Sequence, residues 1–457
     1  MNRSLEGRGL LVALFVLTLP LVTPKIRGAD EIEYFSYLRS LVLDHDLEFG
    51  NEYQRFYDDD PQGLAGFKAT FLDLREPATG RHINFAPMGA AVLWSPFYLA
   101  AHAGVLVART LGGNVEADGF SRPYVAAVCY ASALYGFLGL LLVHDALRRC
   151  GGFAEPAASW SVAALWLGTP LLYYMTLAPA FSHAASLFAV SLTLWLWLRV
   201  RGRQDDSTLD WLKIGLAGGL AGLVREQDAL FLAAPALDLA RRAWRPAGLR
   251  PSIARGAAMG AAAVLVFTPQ LLAYRALNGR FAPSTLVARK LTWTSPHFLE
   301  VLLDPGHGLF VWAPLLLLAT AGLGIVAWRR RGGAAPLLFL TLLLQVWING
   351  SLESWTQAGA FGSRRFVSAT PVFAWGLAAL LVAALPRLRR GTTAFALALF
   401  VWWNVSLMVQ FGLRLMDRQR LEWPRVAVNQ VVEVPKQLGR VLLLFFTDRE
   451  RLLREGA

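Results

Sequence analysis

Apolar runs of nearly bilayer-spanning length recur from one end of this chain to the other, and that recurrence restricts the fold before any motif is read. A helix needs about 20 predominantly apolar residues to cross the hydrocarbon layer. Such runs occupy residues 9–24, 88–108, 123–146, 157–177, 181–198, 211–240, 254–275, 308–328, 334–350, 366–385 and 393–413. The stretch 211–240 is too long for one simple span and is interrupted by Arg225, Glu226 and Asp228, so it reads as a helical hairpin with a polar tip. Inside a bilayer the backbone amides have no water to bond, which makes each run helical. The expected fold class is all-α, a polytopic membrane protein with about 11–12 transmembrane helices.

Charge patterning supports this reading. Only 17% of the 457 residues are charged, against about 25% in ordinary soluble domains. The net charge of +12 sits largely in short arginine clusters between the apolar runs: Arg3 and Arg8, Arg148 and Arg149, then 199–203, 241–250, 329–331 and 387–390. Cytoplasmic loops are marked in this way, so the basicity reports topology and gives no reason to invoke nucleic acid. The alternation fails once. Runs 88–108 and 123–146 cannot both cross if the N-terminus and Arg148 share the cytoplasmic side; one of them is re-entrant, or the charge rule breaks at one loop. Cys129 and Cys150 have neither metal-ligand spacing nor the pattern of a disulfide framework.

The opposite face collects polar and aromatic loops: 25–86, the hairpin tip 225–228, 277–307 and 351–365. A long first outer loop with several shorter ones on the same side is the layout of an enzyme working at the outer surface. The first apolar run also has the shape of a signal peptide cleaved after Ala29, although Arg27 stands where cleavage sites want a small residue. Residues 1–415 form the expected membrane domain, with 25–86 as an outer loop carrying amphipathic helices. Residues 416–457 form a tail in which apolar 441–446, followed by alternating charges, suggests a helix lying on the membrane.

The first outer loop opens with "GADEIEYF", residues 28–35, three acids just after the first apolar run. Asp30 and Glu33 match a D-x-x-E capping box, and Ile32, Phe35, Leu38, Leu41 and Val42 then recur at helical spacing. An amphipathic interfacial helix capped by acids accounts for that pattern. Ionisable groups so close to the bilayer are also costly and point to function, and a carboxylate there suits a general base for group transfer. From the residues alone, capping and catalysis stand level.

The stretch "ADEIEYFSYLRSLVLDHDLEF" resembles the start of the first outer loop in the GT-C superfamily of integral membrane glycosyltransferases. The likeness is to the bacterial branch related to protein O-mannosyltransferases and lipid A aminoarabinose transferases. "TPLLYYMTLAPAFSHAASLF", "GLAGLVREQDAL", "GLFVWAPLLLLATAGL" and "SWTQAGAFGSRRFVSATPVFA" resemble, in order, later segments of the same branch, so the likeness covers about 10–413.

The resemblance implies transfer of a hexosyl or pentosyl group from a polyprenyl-phosphate carrier to a lipid, polysaccharide or protein acceptor. It implies an inverting mechanism and an outward-facing site in a bacterial inner membrane. Relatives usually read Gly-Asp-Glu where this chain has Gly28-Ala29-Asp30-Glu31, so either acid matches the base, with Asp30 favoured over Glu31.

Donor phosphate needs fixed positive charge. Arg364, or its neighbour Arg365, matches the family's "fGpRy" arginine, and Arg225 matches the arginine at the end of the short hairpin. His183, Tyr34 and Trp355 are candidate substrate contacts.

Each has a plainer reading. Arg364 and Arg365 could snorkel to headgroups, Arg225 could pair with Glu226 or Asp228, His183 could be a packing residue, and Trp355 could belong to an interfacial aromatic belt. No metal site is expected and no cofactor is implied with certainty, a divalent cation being the open alternative. Asp44-His45-Asp46 has the D-x-D shape but lacks an accompanying nucleotide-binding domain. The competing class is a transporter or flippase; against it, no internal repeat is evident and the polar residues gather at one face instead of the midplane.

Overall fold

The computed structural model describes residues 3–203, 205–245, 248–357, 359–449 and 451–452. Among the described residues the regular elements are all helical. Six helices among the described residues are long and apolar enough to cross a membrane: Gly89–Thr110, Arg122–Cys150, His183–Arg201, Leu249–Asn278, Arg364–Ala384 and Arg390–Gly412. Gly7–Leu21, Ala157–Leu167, Pro314–Arg329 and Ala335–Gly350 are shorter apolar helices. Two expected runs are broken by proline. Residues 157–177 divide into Ala157–Leu167 and Leu171–Thr176 around Pro170, and 308–328 divides at Ala313, before Pro314 opens the longer helix.

The chain forms two compact units, 12–146 with 174–291, and 1–11 with 147–173 and 292–457. The first is built on the hairpin. Thr208–Val224 ends at Arg225, whose backbone is extended, and a 3-10 turn, Glu226–Leu232, reverses the chain into Ala233–Ala243. Thr208–Val224 lies so close to Leu249–Asn278 that a Cβ on Gly215 would stand 2.1 Å from the Met259 carbonyl oxygen, and one on Gly219 2.6 Å from that of Ala263. Small residues at a membrane helix interface allow this backbone approach.

At the other end of the hairpin a charged network closes the unit. Asp206 pairs with Arg242 at 3.1 Å and Arg255 at 3.4 Å and accepts from Trp211 Nε1 at 2.6 Å; Asp238 pairs with Arg201 at 3.2 Å. His183–Arg201, 19 residues and about 28 Å long at 1.5 Å per residue, runs between the hairpin tip and this basic end.

The first long loop folds into an aromatic core of Phe35, Tyr37, Phe49, Tyr53, Phe67 and Phe71, with Trp94 and Tyr98 from the following helix. Its opening helix, Ala29–Arg39, departs from expectation. Residues 31–38 are all buried, whereas Leu41 is exposed, so this is an enclosed helix and not an amphipathic one at an interface. The helical spacing was there, but neighbours cover every face.

Gly89–Thr110 begins against Leu223 and Val224, beside the hairpin tip. The segment that follows returns to the first loop: Arg39 Nε donates to the Asp118 carbonyl at 3.0 Å, and Phe120 packs on Phe35 and Phe56. The returning segment lies beside the middle of Gly89–Thr110, where the Tyr98 hydroxyl donates to the Gly119 carbonyl at 3.0 Å.

In the second unit Pro314–Arg329 and Thr370–Ala384 pack through glycine, a Cβ on Gly376 standing 2.0 Å from the Ala319 carbonyl oxygen. Asn404 Nδ2 ties Arg390–Gly412 to the Leu167 carbonyl at 2.9 Å. The tail forms Trp423–Val428 and Val434–Thr447; the latter buries Val434 and leaves Leu442, Leu443 and Phe446 exposed. Residues 453–457 of the expected tail lie outside the described residues.

Candidate functional site

Gly28 is the N-cap of Ala29–Arg39, and the capping acid is Glu31. Its Oε2 accepts the backbone N–H groups of Arg27 and Gly28, both at 2.9 Å. The expected Asp30 and Glu33 box is therefore displaced by a register: Glu33 turns to the Phe85 N–H at 2.5 Å, and Asn84 Nδ2 donates to its carbonyl at 3.0 Å. Glu31 is 3% exposed, and its Oε1 has no hydrogen-bond partner among the described residues. Burial pushes its carboxyl from the ordinary 4.5 up to about 7, opposed by the two amides. Asp30, next in sequence, is half-buried and close enough to bear on the ionisation of both Glu31 and Tyr34.

Five of the expected residues of this unit, with Ser182, converge on one cluster. Tyr34, 5% exposed, accepts a hydrogen bond from Ser182 Oγ at 2.9 Å. Arg225 Nη1 donates to Ser182 Oγ at 3.4 Å and to His183 Nδ1 at 3.3 Å. The His183 ring lies 4.5 Å from that of Tyr174 and stacks on Phe181 at 5.7 Å. Phe181 in turn reaches the cap, since a Cβ on Gly28 would stand 3.1 Å from its Cζ. The cluster thus gathers Asp30, Glu31, Tyr34, Ser182, His183 and Arg225. Burial raises the Tyr34 hydroxyl above its usual range, Arg225 lowering it and Asp30 raising it again.

The two acids that follow Arg225 have other partners as well. Glu226 accepts from the Tyr274 hydroxyl, and buried Asp228 from Ser186 Oγ. Arg225 is held by the Ser182 hydroxyl and the His183 imidazole. Ser182 was not legible as a site residue, because its role depends on Tyr34, 148 positions away; its only signal was its place before His183 in "FSHAAS".

The second unit carries Arg364, Arg365 and Trp355. Arg365 is fixed from two directions: its backbone N–H donates to Gln357 Oε1 at 3.1 Å and its Nη2 to Ser354 Oγ at 2.9 Å. Arg364 lies near His307, whose ring burial holds below its ordinary range, with the guanidinium adding to the effect. Trp355 stacks on His297 at 5.3 Å.

The D-x-D stretch is spent on folding. Asp44 pairs with Arg39 and accepts from Asn51 Nδ2 at 2.7 Å, while Asp46 accepts from Ser40 Oγ at 2.7 Å and the Glu48 N–H at 3.1 Å. Among the described residues no group of three His, Cys, Asp or Glu side chains is placed to hold a metal ion.

No family model and no curated protein matches the sequence. Among solved structures the fold is similar to that of ArnT from Cupriavidus metallidurans bound to undecaprenyl phosphate. The TM-score is 0.54 at 16% identity, over 99% of this chain and 73% of that one. The oligosaccharyltransferase of Archaeoglobus fulgidus in complex with zinc and sulfate aligns at a TM-score of 0.44 and 13% identity, over 92% of this chain and 52% of that one. The all-helical architecture expected from the sequence is thus similar to the fold of a solved structure.

Proposed function

We propose that this chain is a membrane glycosyltransferase that moves a hexosyl or pentosyl group from a polyprenyl-phosphate carrier to an acceptor at the non-cytoplasmic face of a bacterial inner membrane. The acceptor class is a lipid, a polysaccharide or a protein. The observation that carries the reading is the division of labour between the two adjacent acids beside Arg225. Glu31 gives Oε2 to two backbone amides and is assigned the cap, and half-buried Asp30 beside it is assigned the incoming substrate.

In this reading Asp30 accepts the proton of the acceptor hydroxyl or amine as that atom forms its bond to the anomeric carbon. The anomeric carbon's bond to the phosphate oxygen breaks, and the electron pair leaves on the polyprenyl phosphate. Negative charge grows on that oxygen, and a preorganised guanidinium stabilises it. In the first unit Arg225 is assigned that task; in the second, Arg364 is the candidate donor-phosphate arginine and Arg365 holds the loop beside it. Glu31 fixes the helix start so that Asp30 keeps its place. His183 orients Arg225, and Tyr34 and Trp355 are assigned to substrate contact.

The similarity in fold to a protein crystallised with undecaprenyl phosphate supports the donor class. The cluster's position at one end of His183–Arg201, with the arginine-rich network at the other, supports an outward-facing site through the positive-inside rule and disfavours a transporter, whose sites lie near the midplane. The test is a glycan comparison of envelope fractions from cells carrying wild type, Asp30→Asn, Glu31→Gln or no gene, with protein levels checked in each. Loss of the same glycan in the Asp30→Asn and deletion cells supports the assignment and identifies the sugar. A wild-type glycan profile in both acid variants refutes it.

A further inference from the structure

The chain after Arg390–Gly412 turns back onto that helix and leaves an apolar stripe uncovered. Trp423–Val428, Asn429–Glu433 and Val434–Thr447 follow one another without a break, the middle piece being a π-helical turn, so the tail is one continuous helix. Val426, Asn429, Gln430 and Val434 are buried and mark its inward side. Trp423 stacks on Trp403 at 5.5 Å, Gln430 Nε2 donates to the Trp403 carbonyl at 3.2 Å, and Asn429 Nδ2 donates to the Leu415 carbonyl at 2.9 Å. Trp403 is itself tied inward, its Nε1 donating to the Trp312 carbonyl at 3.0 Å.

These contacts fix the level at which the tail meets the span. Phe395, Leu399 and Trp403 recur every four residues along one stripe of Arg390–Gly412. Phe395 and Leu399 are exposed on a helix apolar enough to cross a membrane, so their stripe faces hydrocarbon. The tail covers Trp403, the next position on it. At 1.5 Å per residue Trp403 stands about 20 Å from Arg390 and about 14 Å from Gly412. In a hydrocarbon layer about 30 Å thick, the contact lies inside the bilayer and not in the water beyond it.

The side of the tail turned away from the protein suits that level. Val428, Val431, Val432, Leu442, Leu443 and Phe446 are exposed and lie opposite the buried residues. In water an uncovered apolar stripe of that length is costly. Lys436 and Arg440, one turn apart, edge the stripe, and their long stems let the charges reach headgroups.

We propose that the whole helix 423–447, and not only its apolar 441–446, is seated in the bilayer against Arg390–Gly412, with phospholipid acyl chains as the partner of its exposed stripe. Just before the helix, Gln419 Oε1 accepts the Gly359 N–H at 3.1 Å and the Leu421 N–H donates to the Pro305 carbonyl at 2.8 Å. Seating the helix in lipid therefore also tethers two loops of the same unit. The claim is one of membrane docking and stands apart from the transferase reading.

The experiment uses the full chain in phosphatidylcholine nanodiscs. Cys129 is buried and Cys150 half-buried, so Cys150→Ser supplies the background for a nitroxide on one introduced cysteine: Val431→Cys, Leu443→Cys, Leu399→Cys as the lipid-facing reference, or Asp59→Cys as the water-facing one. Electron paramagnetic resonance reads collision with oxygen, which concentrates in hydrocarbon, against collision with a nickel chelate, which stays in water. The oxygen-to-nickel ratio at Val431 and Leu443 should match that at Leu399 and exceed that at Asp59 by roughly tenfold, as burial of an apolar face in the bilayer requires. A ratio like that of Asp59 at either position means that the stripe faces water. Low collision with both reagents means that protein covers it, as a second copy of the chain would. Either result overturns the proposal. In the same nanodiscs the Leu443→Asp/Phe446→Asp double variant should speed amide exchange across Val434–Thr447 by roughly tenfold, because the helix loses its seat; unchanged exchange overturns the proposal as well.

Discussion

Ser182 Oγ donates to the Tyr34 hydroxyl at 2.9 Å, joining the opening helix of the first long loop to the start of His183–Arg201. Because Arg225 reaches Ser182 Oγ and the adjacent His183 imidazole, the pair sets where the guanidinium stands. Replacing Tyr34 by Phe, or Ser182 by Ala, should lower stability by about 1 kcal/mol each, with a coupling of about 0.5–1.5 kcal/mol in the double variant. Sugar transfer should fall further than stability, since Arg225 loses a support. Thermal unfolding in detergent and turnover with a polyprenyl-phosphate sugar check the two parts; additive effects in the cycle would show that the hydrogen bond carries no weight.

The two acids should separate by what their removal damages. Asp30→Asn should cost transfer about 100-fold or more, the range for a lost general base, and leave the melting midpoint nearly unchanged. Glu31→Gln should lower the midpoint through the weakened cap, a loss of about 1 kcal/mol, with a smaller loss of turnover. The opposite pattern would move the base assignment to Glu31.

Glu31 and Glu52 also predict a pH dependence. Burial pushes each up to about 7 from the ordinary glutamate value of 4.5, in Glu52 despite its hydrogen bond from Arg39. Between these values the folded chain binds more protons than the unfolded one, so stability falls as pH rises from about 4.5 to about 7 and levels off above. Glu31→Gln and Glu52→Gln should each flatten part of that decline. Melting midpoints of the three proteins between pH 4.5 and 8 measure it, and parallel curves for all three would contradict the assignment.

The membrane helices were legible because hydropathy over some 20 residues is a property of the chain itself. The hairpin at Arg225 was legible for the same reason, its three charges interrupting an apolar run. The cap was not. Both Asp30-x-x-Glu33 and Gly28-x-x-Glu31 fit the pattern, and the choice between them depends on Phe181 and Phe85, which meet this segment only in three dimensions. Burial of Ala29–Arg39 on all faces was hidden for a related reason: periodicity indicates one covered face, and the helix is covered by loop aromatics distant in sequence.

Arg364 and Arg365 are adjacent but differently held, which gives a test of the doubled arginine. Arg365 donates to Gln357 and Ser354, so Arg365→Gln should reduce stability by about 1 kcal/mol, the worth of an ordinary hydrogen bond, with turnover falling in proportion. Arg364→Gln should preserve the fold and reduce kcat/KM for the polyprenyl-phosphate donor by about 100-fold, as loss of a charge-stabilising donor does. Equal kinetic losses with intact folding would assign both side chains to the phosphate.

The arginine-rich end of the first unit supplies a control for every activity measurement at the other end. Asp206, 6% exposed, stands between Arg242 and Arg255 and accepts from Trp211 Nε1. Removing its charge by Asp206→Asn leaves two half-buried guanidiniums facing each other, a loss of about 3–5 kcal/mol when a buried pair is broken from one side. Asp206→Asn should therefore lower the melting midpoint more than any substitution at the candidate site. Because the network lies about 28 Å from His183 along one helix, the protein that remains folded should transfer the same sugar with an unchanged KM. A changed donor preference or KM in Asp206→Asn would mean that the two ends of His183–Arg201 are coupled, and that losses of activity at Asp30 or Arg225 cannot be assigned to local chemistry alone.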